Sequence, residues 1–313
     1  MMTTEDVERQ LGTVFGDRLV RHAPLAPFTT FKVGGNADYL LSVDTSEELI
    51  QAVRIARAGS VPVTVLGGGS NVLISDAGIR GLVVKLRGTA VSRIAAGSIR
   101  AEAALTINGL VRWTVNRGVA GLEAWAGTPG TIGGAIYGNA HFQGRNIGEL
   151  VERVTLVDSQ GSLTVVPAAD MEFAYDFSRL QRTREIVVSA DFRVSDGETP
   201  RLREVARESL AFRKRTQPLE SASAGCIFQN PDPSRDRVPP GIPPSAGALV
   251  DRAGLKGSRE GGASVSTRHA NFMVNEGGAT ARDIRTLIDR CKKTVWEKFG
   301  VELREEIVYL GFG

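Results

Sequence analysis

Glycine clusters set directly after strand-like runs constrain this chain more than any other feature. Glycine makes up 36 of the 313 residues, above the usual share of about 7%. The densest groups are GGGSN at 67–71 and GTPGTIGG at 127–134. Glycine takes positive φ and lets backbone approach a ligand closely. The amides it leaves exposed form anion-binding nests, and a helix start nearby adds positive potential. One such cluster is ordinarily a turn. Two, each after an ordered segment and close to a helix start, point to a pyrophosphate. The chain has no GxxxxGK[ST], which speaks against a P-loop. No GxGxxG follows the first strand, so a Rossmann-type dinucleotide fold is not supported. The residues alone lead to a phosphorylated cofactor on some other fold.

Strand and helix signals alternate around these clusters. Residues 46–58 read as a helix with Ser46 as its cap, acids Glu47 and Glu48 in its first turn and Gly59 at its end. VPVTVL (61–66) and LVVKL (82–86) read as buried strands, and 107–118 as an amphipathic helix stopped by Gly118. Strand-like pieces follow at 154–158, 163–166 and 186–192, with Gly161 turning between the first two. SDGETP (195–200) reads as a linker into a helix opened by Thr199 and Pro200. The proline-rich stretch 231–244 reads as a loop. Thr280 and Asp283 form a capping box for a last helix with Ile284, Leu287, Ile288, Cys291 and Val295 on one face, and 305–311 reads as a closing strand.

Composition narrows the class. A 42% hydrophobic and 23% charged chain is ordinary for a globular protein. A net charge of +3 without a Lys/Arg stripe argues against a nucleic-acid partner. Cys226 and Cys291 form no CxxC and sit in no His/Cys cluster, so neither a metal site nor a disulfide framework is expected. The opening MMTTEDVERQ is unlike a secretory leader. No apolar run approaches the roughly 20 residues of a membrane span. A cytoplasmic protein is the default expectation, with no membrane association and no evident obligate protein partner.

TTFKVGGNADYL (29–40), VLGGGSNVLISDAGIRGLVV (65–84) and GLEAWAGTPGTIGGAIYGNA (121–140) resemble the FAD-binding half of the UDP-N-acetylenolpyruvoylglucosamine reductases. The resemblance continues in order through SAGCIFQNP (223–231), AGLKG (253–257), VSTRHANFMVN (265–275), ATARDI (279–284) and FGVELREEIVYLG (299–311). Lacking a long tyrosine-bearing insertion, the chain is similar to the shorter type. The resemblance implies an α+β fold: an FAD-binding domain of the vanillyl-alcohol-oxidase/PCMH type in two α+β subdomains, 1–86 and 87–197, and a C-terminal α+β substrate domain, 198–313. It implies FAD as cofactor, NADPH as co-substrate and UDP-N-acetylglucosamine enolpyruvate as the molecule reduced, in peptidoglycan precursor synthesis. Carried over by motif, FAD contacts come from Thr30 and Gly34, then from Gly67, Gly68, Gly69, Ser70 and Asn71. Others come from Gly127, Thr128, Pro129, Gly130, Thr131, Gly133 and Gly134, and from Asn139.

Hydride addition to the enolpyruvyl group leaves negative charge at the α carbon. That charge needs an electrostatic partner, and the carbon needs a positioned acid. The resemblance puts Cys226 where the family has a serine. A thiol, with an ordinary pKa of about 8.5, is a competent proton donor. Glu306 fits the family's C-terminal LxxE[VI], and Glu305 should face the other way on the strand. FAYDFS (173–178) aligns with FxYRxS, so Asp176 stands where an arginine is expected. An aspartate would repel what the arginine attracts, and Arg179, Arg182 and Arg213 are the candidates for a substitute cation. Gln229 replaces a family lysine, and HFQGRNIG (141–148) replaces a run of small residues. Asn230, Lys256, His269, Asn271 and Arg213 are expected substrate contacts, and His22 and His141 read as structural histidines. Asp176 also leaves open a related flavin oxidoreductase with another substrate, or a flavoprotein without turnover.

Overall fold

The computed structural model describes residues 2–142 and 144–312. The chain groups into two compact units, one of residues 1–23, 37–68 and 80–211, the other of 24–36, 69–79 and 212–313.

The first unit holds two sheets, each with its own apolar core. Strands Leu19–Pro24, Asn36–Val43, Ile79–Leu86 and Val63–Val65 form the first in that order, the last pair running parallel with Val63 opposite Leu82. Helices α1 (Thr4–Phe15) and α2 (Ser46–Ala58) bury one face each. Val7, Leu11, Leu49 and Val53 share a core with Leu41, Leu82 and Val84 of the sheet. The cap of α2 is Thr45 rather than Ser46: Thr45 is extended, and its hydroxyl accepts from the Glu48 amide at 3.2 Å. Two adjacent hydroxyls could serve, and the one three residues before an available amide wins.

The second sheet is antiparallel, in the order Leu163–Pro167, Val151–Val157, Ile186–Arg193, Ser98–Glu102, Val91–Ala95. Helices α3 (Ile107–Val115) and α4 (Ile132–Tyr137) bring Leu110, Ile132 and Ile136 against Ile99, Val154 and Phe192. The buried carboxylate of Asp191 accepts from Arg100 Nε and Nη2 and from Arg153 Nε at 2.6–2.9 Å, tying three neighbouring strands. Burial alone would raise its pKa, but the two guanidiniums outweigh that and hold it below the usual range. A single turn, α5 (Leu180–Thr183), follows the 173–178 segment. The expected linker at 195–200 begins as a strand, with Ser195 and Asp196 paired to Ala120 and Val119, before α6 (Thr199–Thr216).

In the second unit strand Val72–Ile74 pairs in parallel with Val308–Leu310. The closing strand is shorter than the expected 305–311 because Glu305 bridges Phe228 and the Glu306 amide donates to Ile227 O at 2.8 Å. Strands Arg259–Glu260, Ala263–Val265 and Met273–Asn275 form an antiparallel sheet. Helices α7 (Ala246–Arg252) and α8 (Ala281–Phe299) pack in the same core. The Thr280–Asp283 capping box and the buried face of α8 are as the spacing predicts. Residues 231–244 contain no helix or strand. No described helix is long and apolar enough to cross a membrane.

Candidate active site

In the first unit the two glycine clusters meet. A Cβ on Gly68 would lie 2.9 Å from Gly130 Cα, and one on Gly67 would lie 2.7 Å from Thr131 Oγ1. Only glycine permits this approach, and Gly130 also has φ +99. The Lys85 ammonium braces the first cluster, donating to Leu66 O and Gly67 O at 3.2 and 2.8 Å. Asn108 brackets the second, accepting from the Gly127 amide at 2.7 Å and donating to Thr128 O at 3.1 Å. The Gly133 amide is engaged by Ala103 O. The amides of Gly67, Gly68, Gly130 and Thr131 make no backbone hydrogen bond among the described residues. Four backbone donors around a glycine-only approach suit a pyrophosphate. With six residues, α4 is too short for its dipole to carry the argument. Thr131 caps it, accepting from Gly134 N at 3.5 Å. Buried Asn139, at φ +46, uses its side chain internally: Nδ2 donates to Ala174 O, and Oδ1 accepts from Gly148 N.

That asparagine fastens the segment carrying Asp176. Residues 173–178 are not extended. Ala174 and Phe177 bridge across a tight turn with Asp176 at φ +51. Asp176 Oδ1 lies 3.0 Å from His141 Nδ1, with only 7% of the aspartate side chain exposed. His141, expected to be structural, is therefore the partner of the most anomalous residue in the sequence. The other Asp176 oxygen is buried and has no hydrogen-bond partner among the described residues. Two of the proposed substitute cations are committed elsewhere. Arg179 makes a two-pronged pair with Glu185, and Arg182 pairs with Glu172.

In the second unit Thr30 donates through its amide and hydroxyl to Gly69 O at 3.0 and 3.2 Å. Gly34 has φ +122, and a Cβ there would lie 2.8 Å from Ile74 Cβ, so close packing fixes that glycine. Asn71 Nδ2 donates to Glu306 O at 3.1 Å, and Val308 N to Asn71 O at 2.9 Å. Cys226 bridges Phe272, and its neighbour Ile227 receives the Glu306 amide, so Cys226 and Glu306 lie on adjoining segments. The thiol is half-buried. Buried Asn271 latches its segment from both sides, accepting from Phe228 N at 2.9 Å and donating to Phe228 O at 2.8 Å. Glu305 turns to Lys292 at 2.8 Å. Arg213 is 5% exposed; burial pushes its pKa down to about 10, and Cys226 acts in the opposite sense. Burial and then the charge of Lys256 push His269 down, favouring its neutral ring. Asn230 accepts from Ala246 N at 3.1 Å, and Lys256 pairs with Asp251 at 2.8 Å.

Comparison with known proteins adds the family. Residues 217–310 match the family described as UDP-N-acetylenolpyruvoylglucosamine reductase, C-terminal domain, and residues 37–166 match the FAD binding domain. A UDP-N-acetylenolpyruvoylglucosamine reductase of Gloeobacter violaceus is 40% identical over 299 residues, covering 95% of this chain and 98% of its own. The chain belongs to the UDP-N-acetylenolpyruvoylglucosamine reductase family. A second reductase of that name, from Heliobacterium modesticaldum, is 37% identical over 96% of this chain and 94% of its own. The solved UDP-N-acetylenolpyruvylglucosamine reductase of Thermus caldophilus superposes with a TM-score of 0.76 at 32% identity, covering 93% of this chain and 98% of that one. The α+β class expected from the sequence agrees with this match. Within the family frame the glycine cradle falls inside the matched FAD binding domain, and Cys226, Asn271 and Glu306 fall in the C-terminal one.

Proposed function

We propose that this chain is the FAD-dependent oxidoreductase that reduces UDP-N-acetylglucosamine enolpyruvate to UDP-N-acetylmuramate with NADPH, in peptidoglycan precursor synthesis. The observation that carries the reading is the nearly end-to-end likeness to reductases of that name, at 37–40% identity over 95–96% of the chain. The amide cradle fits a pyrophosphate, which is how the protein would hold FAD. When bound, FAD would supply the redox chemistry, hydride transfer from NADPH to the enolpyruvyl group. The three parts 1–86, 87–197 and 198–313 then divide the work into two cofactor modules and one substrate module. Soluble nucleotide substrates suit a cytoplasmic location.

The chain's own residues supply the acid. Cys226 protonates the α carbon, and the Arg213 guanidinium, whose pKa Cys226 raises against the effect of burial, balances the thiolate left behind. Asn271 fixes the height of Cys226 by holding Phe228 on both backbone atoms. Glu306 adjoins on the next segment. Glu305, engaged by Lys292, is left to structure. Lys256, His269 and Asn230 contact the nucleotide sugar.

Anaerobic stopped-flow tests this. NADPH should bleach the flavin, and the enolpyruvyl substrate should restore its absorbance. Bleaching without restoration would overturn the substrate assignment and leave a related flavin oxidoreductase with a different substrate.

A further inference from the structure

The enolpyruvyl substrate carries a carboxylate that gains electron density during reduction, and Asp176 has the wrong charge to help it. Beside Asp176 stands a histidine. His141 follows Asn139 and Ala140 at the end of the glycine-cluster segment, and Asp176 occupies a turn pinned to that same segment. Asn139 Nδ2 donates to Ala174 O at 2.8 Å, Ser178 Oγ to Tyr137 O at 2.7 Å, and Gln181 Nε2 to Asp176 O at 2.7 Å. The His141 ring lies 4.8 Å from the Tyr175 ring and 3.0 Å, at Nδ1, from Asp176 Oδ1. These contacts set the ring position, and a proton on Nδ1 would lie toward the carboxylate. A carboxylate on one nitrogen stabilises the imidazolium when the other is protonated, as in a catalytic His–Asp pair. The second oxygen of Asp176, buried and without a hydrogen-bond partner among the described residues, is the kind of group that a ligand or its water satisfies.

We propose that His141 contacts the substrate carboxylate through Nε2–H and stabilises the charge that develops there, with Asp176 as its positioning residue. The pair stands in place of a guanidinium, and no covalent change occurs at His141. The inference rests on the reading of the enzyme as the enolpyruvyl reductase, and it accounts for two departures from the family pattern at once: the aspartate at 176 and the altered run after Ala140.

The test uses the FAD-loaded enzyme and His141→Ala, His141→Gln, Asp176→Asn and the double variant His141→Ala/Asp176→Arg. His141→Ala should keep its FAD and be reduced by NADPH within about twofold of the native rate. Its reoxidation by the enolpyruvyl substrate should slow by about 100- to 1000-fold, and imidazole in the buffer should restore part of the rate. Calorimetry should show weaker binding of UDP-N-acetylmuramate to the oxidised His141→Ala enzyme. Asp176→Asn should lie between native and His141→Ala. The double variant, carrying its cation on the other residue, should reoxidise at least tenfold faster than His141→Ala. Native-like reoxidation in flavin-loaded His141→Ala and His141→Gln would overturn the proposal. So would loss of FAD by all of the variants, because the pair would then be building the cofactor loop. Failure of the native enzyme to reoxidise with this substrate would instead overturn the functional reading itself.

Discussion

Cys226 and Cys291 are one residue type in two environments, and the environments assign their chemistry. Cys291 is 1% exposed on the apolar face of α8, and burial pushes its thiol up to about 12. Its thiolate is scarce at neutral pH, and no reagent reaches it. Cys226 is half-buried, in a segment bridged to Phe272. Iodoacetamide applied to the native enzyme at about pH 7.5, below the ordinary thiol value, should therefore add one carbamidomethyl group, found by peptide mass analysis at Cys226. The alkylated enzyme should still be bleached by NADPH but should reoxidise about 100-fold or more slowly, since a positioned acid contributes that much. Modification at Cys291 first, or equal loss of both half-reactions, would sink the assignment. The helical spacing around Cys291 and the AGCIFQNP setting of Cys226 already separated the two in the sequence. The role of His141 was not legible there. Its partner is far along the chain, the run around it matched no motif, and its only signal was that two departures from one pattern occurred together.

At the scale of elements, periodicity and caps located the helices well, because each depends on residues within one turn of one another. The Thr280 and Asp283 box of α8 is the clearest case. Errors arose where distant backbone competes for the same groups. Residues 305–307 look as strand-like as Val308–Leu310, yet Glu305 and Glu306 are claimed by the 226–229 segment. The turn at Asp176 in the 173–178 segment also depends on distant groups, with Asn139 and Gln181 holding it. The proline-rich loop 231–244 is likewise tied down by a contact that its composition does not reveal. Arg304 donates two hydrogen bonds, at 2.8 and 2.9 Å, to Asp236 and holds that carboxyl down to about 2. A depressed carboxyl contributes stability above its unfolded value of about 3.9, and that contribution disappears as pH falls through the folded value. The loop should therefore stay protease-resistant down to about pH 4 and become cleavable between about pH 4 and 2. Asp236→Asn should be cleaved there at neutral pH too. A loop equally resistant in both proteins would mean that the pair does not hold it.

At the scale of the whole molecule, chain order and spatial order part company. Residues 24–36 and 69–79 group with 212–313 rather than with their sequence neighbours. For 69–79 the physical cause is a parallel strand pair closed late in the chain, with Val72 opposite Val308, Leu73 opposite Tyr309 and Ile74 opposite Leu310. Parallel pairing of segments so far apart leaves no local signature, since each strand reads only as a short apolar run. The pairing also explains why the end of the chain matters to the candidate acid site: Asn71 holds both Glu306 O and Val308 N. Removing residues 308–313 should strip Val72–Ile74 of this partner and loosen Glu306 from its anchor. We expect the thermal midpoint to fall by about 3–5 °C, the equivalent of about 2–3 kcal/mol for a chain of this size. Reoxidation by the enolpyruvyl substrate should suffer more than reduction by NADPH. A truncated protein that melts within about a degree of the full chain, well inside that expected shift, and turns over normally would show that the late strand is dispensable, and that Asn71 and the segment at 226–229 hold Glu306 without it.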